Sequence, residues 1–323
     1  MSALLIAETI RSVVAASVPL VFAGIGETFT ERAGIVNLSL DGTILLSAMA
    51  GFAAAFLSGS VTLGFVAAAV VGALIALIVA TSTIALRQDQ VAVGFVLTLL
   101  CSDLSSFLGL PFVRKPGPSV PHMPVPGLVD IPIIGHILFD HDLLVYASYA
   151  LIVLAWVWIN KTEPGLRMRS VGERPEAAFA RGVNVNRTRY LYTALGGALV
   201  GMAGAAYSLS VKLGWSHRHT AGMGWIALAI VIFGGWSPLR VALGAYMFGA
   251  LQSLGSILQP LYPNVPTQIF QTAPFALMII TLLLVNRDMT RLQSILPARL
   301  RPLAASLMRS APPAGLGKRF EGG

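Results

Sequence analysis

The sequence predicts an all-α fold, a polytopic bundle of transmembrane helices, and three observations support this fold class. Hydrophobic residues make up 55% of the 323 residues, and the mean hydropathy is +0.76. Charged residues make up only 11%, whereas a soluble globular domain carries about 25%. The apolar residues also gather into long runs that lack the polar face of a soluble protein's surface helix. Most of the chain is therefore expected to lie in lipid.

The apolar runs divide into nine candidate membrane segments. A helix needs about 20 apolar residues to cross the hydrocarbon core, and fewer where neighbours bury a discontinuous helix. On that criterion the candidates are residues 11–29, 35–57, 61–86, 90–108, 142–159, 191–211, 224–236, 239–258 and 269–285. We expect about 8–10 membrane segments, at least one of them discontinuous.

Two stretches interrupt this pattern. Residues 33–42 place Asn37, Ser39, Asp41 and two glycines in an otherwise apolar run. Membrane transporters unwind helices at such points to line a solute path, so residues 33–57 are predicted to contain the break. Residues 109–141 hold seven prolines and cannot form a transmembrane helix. They are predicted to form an ordered external loop.

The basic residues are distributed very unevenly. Of 22 Lys and Arg, 14 fall in residues 160–189 and 286–323, with seven in each stretch. The positive-inside rule places both stretches in the cytoplasm, so the C-terminus is predicted to be cytoplasmic and residues 109–141 external. Anionic lipid headgroups are the expected contacts of these charges. No nucleic-acid partner is expected, because the basic tail lacks a folded face that combines basic and aromatic residues.

The cytoplasmic segment of about residues 160–190 carries local helix signals. Pro175 suits the first turn of a helix, Glu176 suits its positive N-terminal end, and Gly182 suits its stop. These signals predict a helix of about two turns beneath the membrane. A motor domain could bind such a helix and, through it, move the two membrane helices on either side. A solvated loop that merely follows the positive-inside pattern is the alternative, and the local signals leave both open.

Four motifs in chain order carry a family resemblance. Residues 172–178 (GERPEAA) with 182–185 (GVNV) resemble the coupling segment of ABC transporter permeases of the branched-chain amino acid, ribose and nucleoside class. Residues 31–42 resemble the early signature of that class, residues 196–204 its packing helix, and residues 222–244 its late hairpin. Within the class, residues 224–229 (GWIALA) and 233–239 (FGGWSPL) are most similar to nucleoside and simple-sugar permease subunits. Asp41 stands where this family commonly has Glu, and Gly235 where it commonly has a basic residue.

The resemblance implies a function and a set of partners. It implies a permease domain over residues 1–286, a basic cytoplasmic tail over 287–323, and inward transport of a nucleoside or simple sugar by an ATP-driven importer of the cell inner membrane. The implied partners are an ABC ATPase subunit, a second permease subunit in a homodimer or heterodimer, and an extracytoplasmic solute-binding protein. The residues that match the coupling motif are Gly172, Glu173, Pro175, Glu176, Ala177, Ala178 and Gly182.

Polar and aromatic side chains inside the apolar segments are candidates for the substrate path. They are Asn37, Asp41, Phe95, Thr98 and Trp225. Ionisable groups in lipid are costly and usually functional, although Asp41 could equally cap a broken helix. The aromatic rings could stack on a flat ligand or simply pack in the bundle. Glu27, near the inner boundary, is expected to pair with Arg32.

Other function classes lack their characteristic residues. An ion-coupled secondary transporter of a small polar solute is the alternative reading, but it needs intramembrane charged residues, for which only Asp41 is a candidate. The chain has no phosphate-binding Gly-x-x-x-x-Gly-Lys-Ser/Thr loop and no recognisable catalytic set, so it is not expected to be an enzyme. With Cys101 alone and His217 and His219 nearly adjacent, neither a metal site nor a cofactor is expected.

Overall fold

The computed structural model describes residues 3–220, 222–262, 264–266, 269, 272, 275, 276 and 311–322. Within them, seven helices are long and apolar enough to cross a membrane. They are α1 (Ala3–Arg32), α2 (Leu40–Ser58), α3 (Val61–Ile84), α4 (Gln90–Gly109), α6 (Leu143–Lys161), α9 (Val185–Ala206) and α11 (Pro238–Leu261). The shorter helices are α5 (Ile134–Leu138), α7 (Glu163–Glu173), α8 (Pro175–Ala180) and α10 (Met223–Phe233).

Each of the seven long helices overlaps a predicted apolar segment, which confirms the helical membrane bundle. The segment predicted at 224–236 differs, because α10 contains only 11 residues. At 1.5 Å per residue it rises about 16 Å, roughly half the thickness of the hydrocarbon core. The segment predicted at 269–285 lies outside the described residues except for 269, 272, 275 and 276.

Small residues on α9 let neighbouring helices approach closely, as the glycine-rich run at 196–204 predicts. A Cβ atom on Gly72 of α3 would lie 2.2 Å from the carbonyl oxygen of Gly197. On another side of α9, a Cβ on Gly196 would lie 2.5 Å from the carbonyl oxygen of Gly26 in α1. Both distances are far below van der Waals contact, so only glycine allows these backbones to pack. The helix α9 thereby joins α1 and α3 in the centre of the bundle.

Two irregular stretches interrupt the long helices. Between α1 and α2, residues 33–39 leave the helical path, and Gly34 adopts a left-handed φ of 93°. This is the break predicted within residues 33–57. After α9, the π-helical turn Tyr207–Val211 leads into an irregular connection that ends at Gly222, where φ is 88°. The half-length helix α10 starts from this second interruption.

Long-range hydrogen bonds show which loops lie together at each end of the helix bundle. Arg11 Nε near the start of α1 donates to the carbonyl oxygen of Asp140, 2.9 Å away. The proline-rich loop thus shares one end with the start of α1. At the opposite end, Gly317 N–H donates to the carbonyl oxygen of Gly34 at 3.1 Å. The irregular stretch after α1 and the described part of the C-terminal tail therefore lie together.

The proline-rich loop is ordered by polar contacts around Asp140. His122 Nε2 lies 2.8 Å from Asp140 Oδ1, while Arg11 Nη1 and His136 Nδ1 lie 3.4 and 3.5 Å from Oδ2. Burial acts to raise the pKa of Asp140, but these hydrogen bonds and the Arg11 charge outweigh it and hold the pKa below its usual range. The carboxylate therefore stays ionised and anchors the loop to α1.

Candidate coupling surface and solute path

The segment between α6 and α9 folds into two short helices rather than one. The helix α8 begins at Pro175 and ends at Ala180, and Gly182 follows with a left-handed φ of 81°. This is the helix predicted from Pro175, Glu176 and Gly182. The preceding helix α7 was not predicted from the sequence. Thr162 caps it, because its hydroxyl oxygen accepts the Gly165 N–H at 3.2 Å.

Close backbone contacts fix α7 to the ends of two membrane helices. A Cβ on Gly172 would lie 2.1 Å from the carbonyl oxygen of Arg32, the last residue of α1. A Cβ on Gly165 would lie 2.0 Å from the carbonyl oxygen of Trp158 in α6. Tyr192 of α9 strengthens the attachment, since its hydroxyl donates to the Pro164 carbonyl oxygen at 3.1 Å. The helix α7 is therefore attached to α1, α6 and α9.

The helix α8 has one face against α7 and α9 and one face open. Ala178 packs in a small apolar cluster with Val171 of α7 and Val185 of α9. Of the seven residues that match the coupling motif, Gly172, Pro175 and Ala178 are buried within the chain. Glu173, Glu176, Ala177 and Gly182 are exposed. The buried three shape the segment, and the exposed four are available to a partner.

Phe179 lies on the open face of α8 and was not identified from the sequence. The Phe179 side chain is 48% exposed, although a large aromatic is normally buried. Its ring centroid lies 5.4 Å from that of Phe320 in an edge-to-face arrangement. The available signal was a phenylalanine within a short, charged helical segment. It gives the open face of α8 an apolar centre between charged residues.

The C-terminal tail packs against the same segment. The Gly315 N–H donates to the Gly172 carbonyl oxygen at 2.7 Å, and the Ala314 N–H donates to Glu173 Oε2 at 3.1 Å. Residues 311–322 thus connect the end of α7 with Gly34, which the tail contacts through Gly317. The sequence indicated a basic tail here but gave no sign of this docking.

Asn37 and its neighbours form a hydrogen-bonded turn in the break before α2. Asn37 Oδ1 accepts the Ser39 N–H at 3.1 Å and the Ser39 hydroxyl at 2.6 Å. The Asn37 N–H donates in turn to Glu27 Oε1 at 3.3 Å. All three side chains are buried. The turn therefore satisfies backbone groups that the interrupted helix leaves without partners.

Asp41 joins the two interrupted regions of the bundle. Its Oδ1 accepts the Gly224 N–H at 2.9 Å, and Gly224 lies in the first turn of α10. A Cβ on Gly224 would lie 2.2 Å from the Asp41 nitrogen, so no larger residue fits there. The Asp41 carboxylate thus holds the start of α10 against the start of α2. Of the two roles considered for this residue, the helix-capping contact is present.

Thr98, Phe95 and Trp225 complete the predicted set. The Thr98 hydroxyl donates to the Leu38 carbonyl oxygen at 2.8 Å, which binds α4 to the break. One turn earlier, the Phe95 ring lies 5.5 Å from the Trp225 ring of α10 at an interplanar angle of 33°. All five predicted path residues therefore surround the start of α2. Phe95 is 47% exposed and Trp225 half-buried, so this aromatic pair offers an accessible flat surface.

The predicted ion pair between Glu27 and Arg32 at the end of α1 is not formed. Among the described residues, Arg32 Nε instead donates to the Trp236 carbonyl oxygen at 2.9 Å. The Trp236 indole N–H donates to Glu31, a buried carboxylate that the sequence analysis did not single out. Glu27 and Glu31 thus position the break and the turn after α10.

Comparisons with known proteins place this architecture in a transport family. Residues 9–282 match the family model described as the branched-chain amino acid transport system / permease component. That range includes the break before α2, the helices α7 and α8, and α10. It stops before the described residues of the C-terminal tail.

Three curated relatives are similar over most of their length. The nucleoside ABC transporter permease protein NupC of Lactococcus lactis is 36% identical, with 83% of this chain and 89% of that protein covered. The guanosine ABC transporter permease protein NupQ of Bacillus subtilis is 34% identical, with 82% and 87% covered. The candidate glucose ABC transporter permease protein TsgC13 of Haloferax volcanii is 36% identical, with 80% and 82% covered.

Proposed function

Because the chain belongs to the branched-chain amino acid transport system permease family and is a multi-pass ABC permease subunit, we propose that it carries a nucleoside or a simple sugar inward. The similarity to nucleoside, guanosine and glucose permeases supports this substrate class. A permease is a transport component, so the ATP hydrolysis that drives import is assigned to a separate subunit.

The docking surface for that ATPase is proposed to be the open face of α8. Glu176 and Ala177 are exposed there beside the apolar Phe179 ring, and Glu173 is exposed at the adjoining end of α7. An apolar centre with a polar rim is suited to a protein interface. The close contact of Gly172 with the end of α1 would transmit motion of the docked helix into the bundle. This rigid attachment of an exposed helix is the observation that carries the proposal.

The proposed orientation places α8 and the C-terminal tail in the cytoplasm. The basic stretches 160–189 and 286–323 support it through the positive-inside rule. The end of the bundle that holds the proline-rich loop and the start of α1 then faces outward. A solute-binding protein would deliver the substrate at this outer end. A second permease, identical or related, would complete the transport unit.

The solute path is proposed to run past the start of α2. Two helix interruptions meet there, and alternating access requires segments that can change their packing. The Phe95 and Trp225 rings could stack on a nucleobase or on the apolar face of a sugar. Asp41, held by Gly224, would keep the two interruptions in register while the surrounding helices move.

A paired tryptophan substitution tests the docking surface. Ala177→Trp enlarges an exposed residue of α8, and the matched control Ala85→Trp enlarges an exposed residue in the turn between α3 and α4. We expect Ala177→Trp to abolish co-purification of the ATPase subunit and ATP-driven uptake. Ala85→Trp should retain both. Wild-type co-purification and uptake in Ala177→Trp would reject docking on α8.

A further inference from the structure

A small cavity lies where the tail meets the cytoplasmic ends of the membrane helices. It is lined by Arg87, Gln90, Arg189, Lys318, Arg319 and Glu321, among others. Its volume of about 50 Å³ has room for about four waters. Four cationic side chains and one carboxylate in the lining give it a net charge of +3.

Arg189 is the unusual member of this cavity. Its side chain is 2% exposed, and its Nε and Nη2 atoms have no hydrogen-bond partner among the residues that the structure describes. Within the part of the chain that the structure describes, no carboxylate oxygen lies within 4.0 Å of the guanidinium. The Glu176 carboxylate acts on this charge only from beyond ion-pair distance, so the buried guanidinium loses hydration without gaining a direct ion pair, which is costly. An anion bound in the cavity would therefore neutralise the charge of Arg189 and accept hydrogen bonds from its side chain.

The backbone of Gly34 packs closely against the Arg189 guanidinium. A Cβ atom on Gly34 would lie 3.2 Å from Arg189 Nη2, and the left-handed φ of Gly34 favours glycine in any case. Arg189 also lies in the first turns of α9, a helix of 22 residues whose N-terminal end carries partial positive charge. The positive end of α9 favours an anion near this side chain.

The remaining donors reach the cavity from separate elements. Gln90 Oε1 accepts the Val36 N–H at 2.7 Å, so its amide nitrogen remains available as a donor. Arg87 lies in the α3–α4 turn with a left-handed φ of 54°, which is uncommon for arginine. Lys318 and Arg319 come from the exposed tail. A bound anion would therefore join the tail to α4 and α9.

We propose that this cavity binds a phosphate group. A guanidinium matches the geometry of phosphate oxygens through two parallel hydrogen bonds, and lysine adds a compact charge. The phosphate could belong to a lipid headgroup or be free in the cytoplasm. In either case its binding would hold residues 311–322 against α7 and α8, and so affect the proposed coupling surface.

The test uses the purified full-length chain in maltoside micelles. Inorganic phosphate is titrated by calorimetry, and phosphatidylglycerol binding is followed by native mass spectrometry. We expect binding of at least one probe. Arg189→Gln should weaken it at least about tenfold, as expected for loss of a charged hydrogen-bond donor. The tail variant Lys318→Gln/Arg319→Gln should also weaken phosphate binding. Because this variant changes only exposed residues, it tests the site even if Arg189→Gln does not fold.

The matched control is Arg187→Gln, an exposed arginine two residues from Arg189 that does not line the cavity. It should bind as the wild type does. Binding of inorganic phosphate would identify a free phosphate as sufficient, whereas binding of phosphatidylglycerol alone would identify a lipid headgroup. Absence of binding by both probes would overturn the proposal. Equal binding by the wild type, Arg189→Gln and the tail variant would overturn it too.

Discussion

Substitution of Gly172 tests the contact that joins α7 to the end of α1. The change is graded, from Gly172→Ala to Gly172→Val. The control is Gly214→Ala, where the nearest atom to a new Cβ is the Lys115 carbonyl oxygen at 3.8 Å, an ordinary contact. Any general effect of adding a methyl group to a glycine in this chain should appear in the control as well.

The expected size follows from the distance. A Cβ on Gly172 would lie 2.1 Å from the Arg32 carbonyl oxygen, whereas carbon and oxygen normally approach to about 3.3 Å. The two backbones must therefore separate by about 1 Å. Overpacking of this kind costs about 1–3 kcal/mol, and the better helix propensity of alanine offsets up to about 1 kcal/mol. Valine has less of that compensation than alanine, and it adds two further methyl groups.

The assay compares thermal unfolding in detergent with ATP-driven uptake in proteoliposomes. We expect the midpoint of unfolding and the uptake rate to fall in the order glycine, alanine, valine. Co-purification of the ATPase should persist, because the open face of α8 is unchanged. If Gly172→Val unfolds and transports like the wild type, the close contact does not transmit motion and this reasoning is refuted.

Two further predictions concern the two ends of the bundle. Asp41→Asn keeps an acceptor oxygen for the Gly224 N–H, whereas Asp41→Ala removes it and should lower the free energy of unfolding by about 1.5–3 kcal/mol; equal unfolding of the two variants would contradict the proposed contact. The pKa of Asp140 lies below its usual range, so its contribution to stability is present above the unfolded-state pKa and is lost as the pH falls through the folded-state pKa. Asp140→Asn should therefore unfold at a lower temperature than the wild type at pH 7, and the difference should close as the pH falls through the folded-state pKa, as thermal unfolding across pH would show.

The long helices were predictable because burial in lipid demands about 20 apolar residues at a time. The half-length helix α10 was not. Residues 224–236 are apolar beyond the point where α10 ends, but Gly235 and Trp236 both adopt left-handed φ values of 55°. That turn is stabilised by contacts of Trp236 with Glu31 and Arg32, about 200 residues earlier in the chain. Hydropathy contains no information about such a contact.

The segment between α6 and α9 shows the same division between local and distant signals. The helix α8 was predictable from a proline, a glutamate and a glycine that act within one short helix. The helix α7 was missed because Gly165 and Gly172, which disfavour a helix in isolation, are needed for its close contacts with α6 and α1.

The polar residues around the break were identified, but their partners were not. Asp41 binds the N–H of a residue 183 positions away, which sequence spacing cannot reveal. The predicted pairing of Glu27 with Arg32 was wrong for a local reason. Residues five apart on a helix lie about 140° apart around its axis, and only residues three or four apart face each other.

The most direct test of the central claim is uptake of a labelled nucleoside into proteoliposomes that contain this permease with its ATPase, companion permease and solute-binding protein. We predict accumulation that requires ATP and disappears in Ala177→Trp, while Ala85→Trp accumulates substrate like the wild type. Uptake driven by an ion gradient without ATP, and insensitive to Ala177→Trp, would contradict the account.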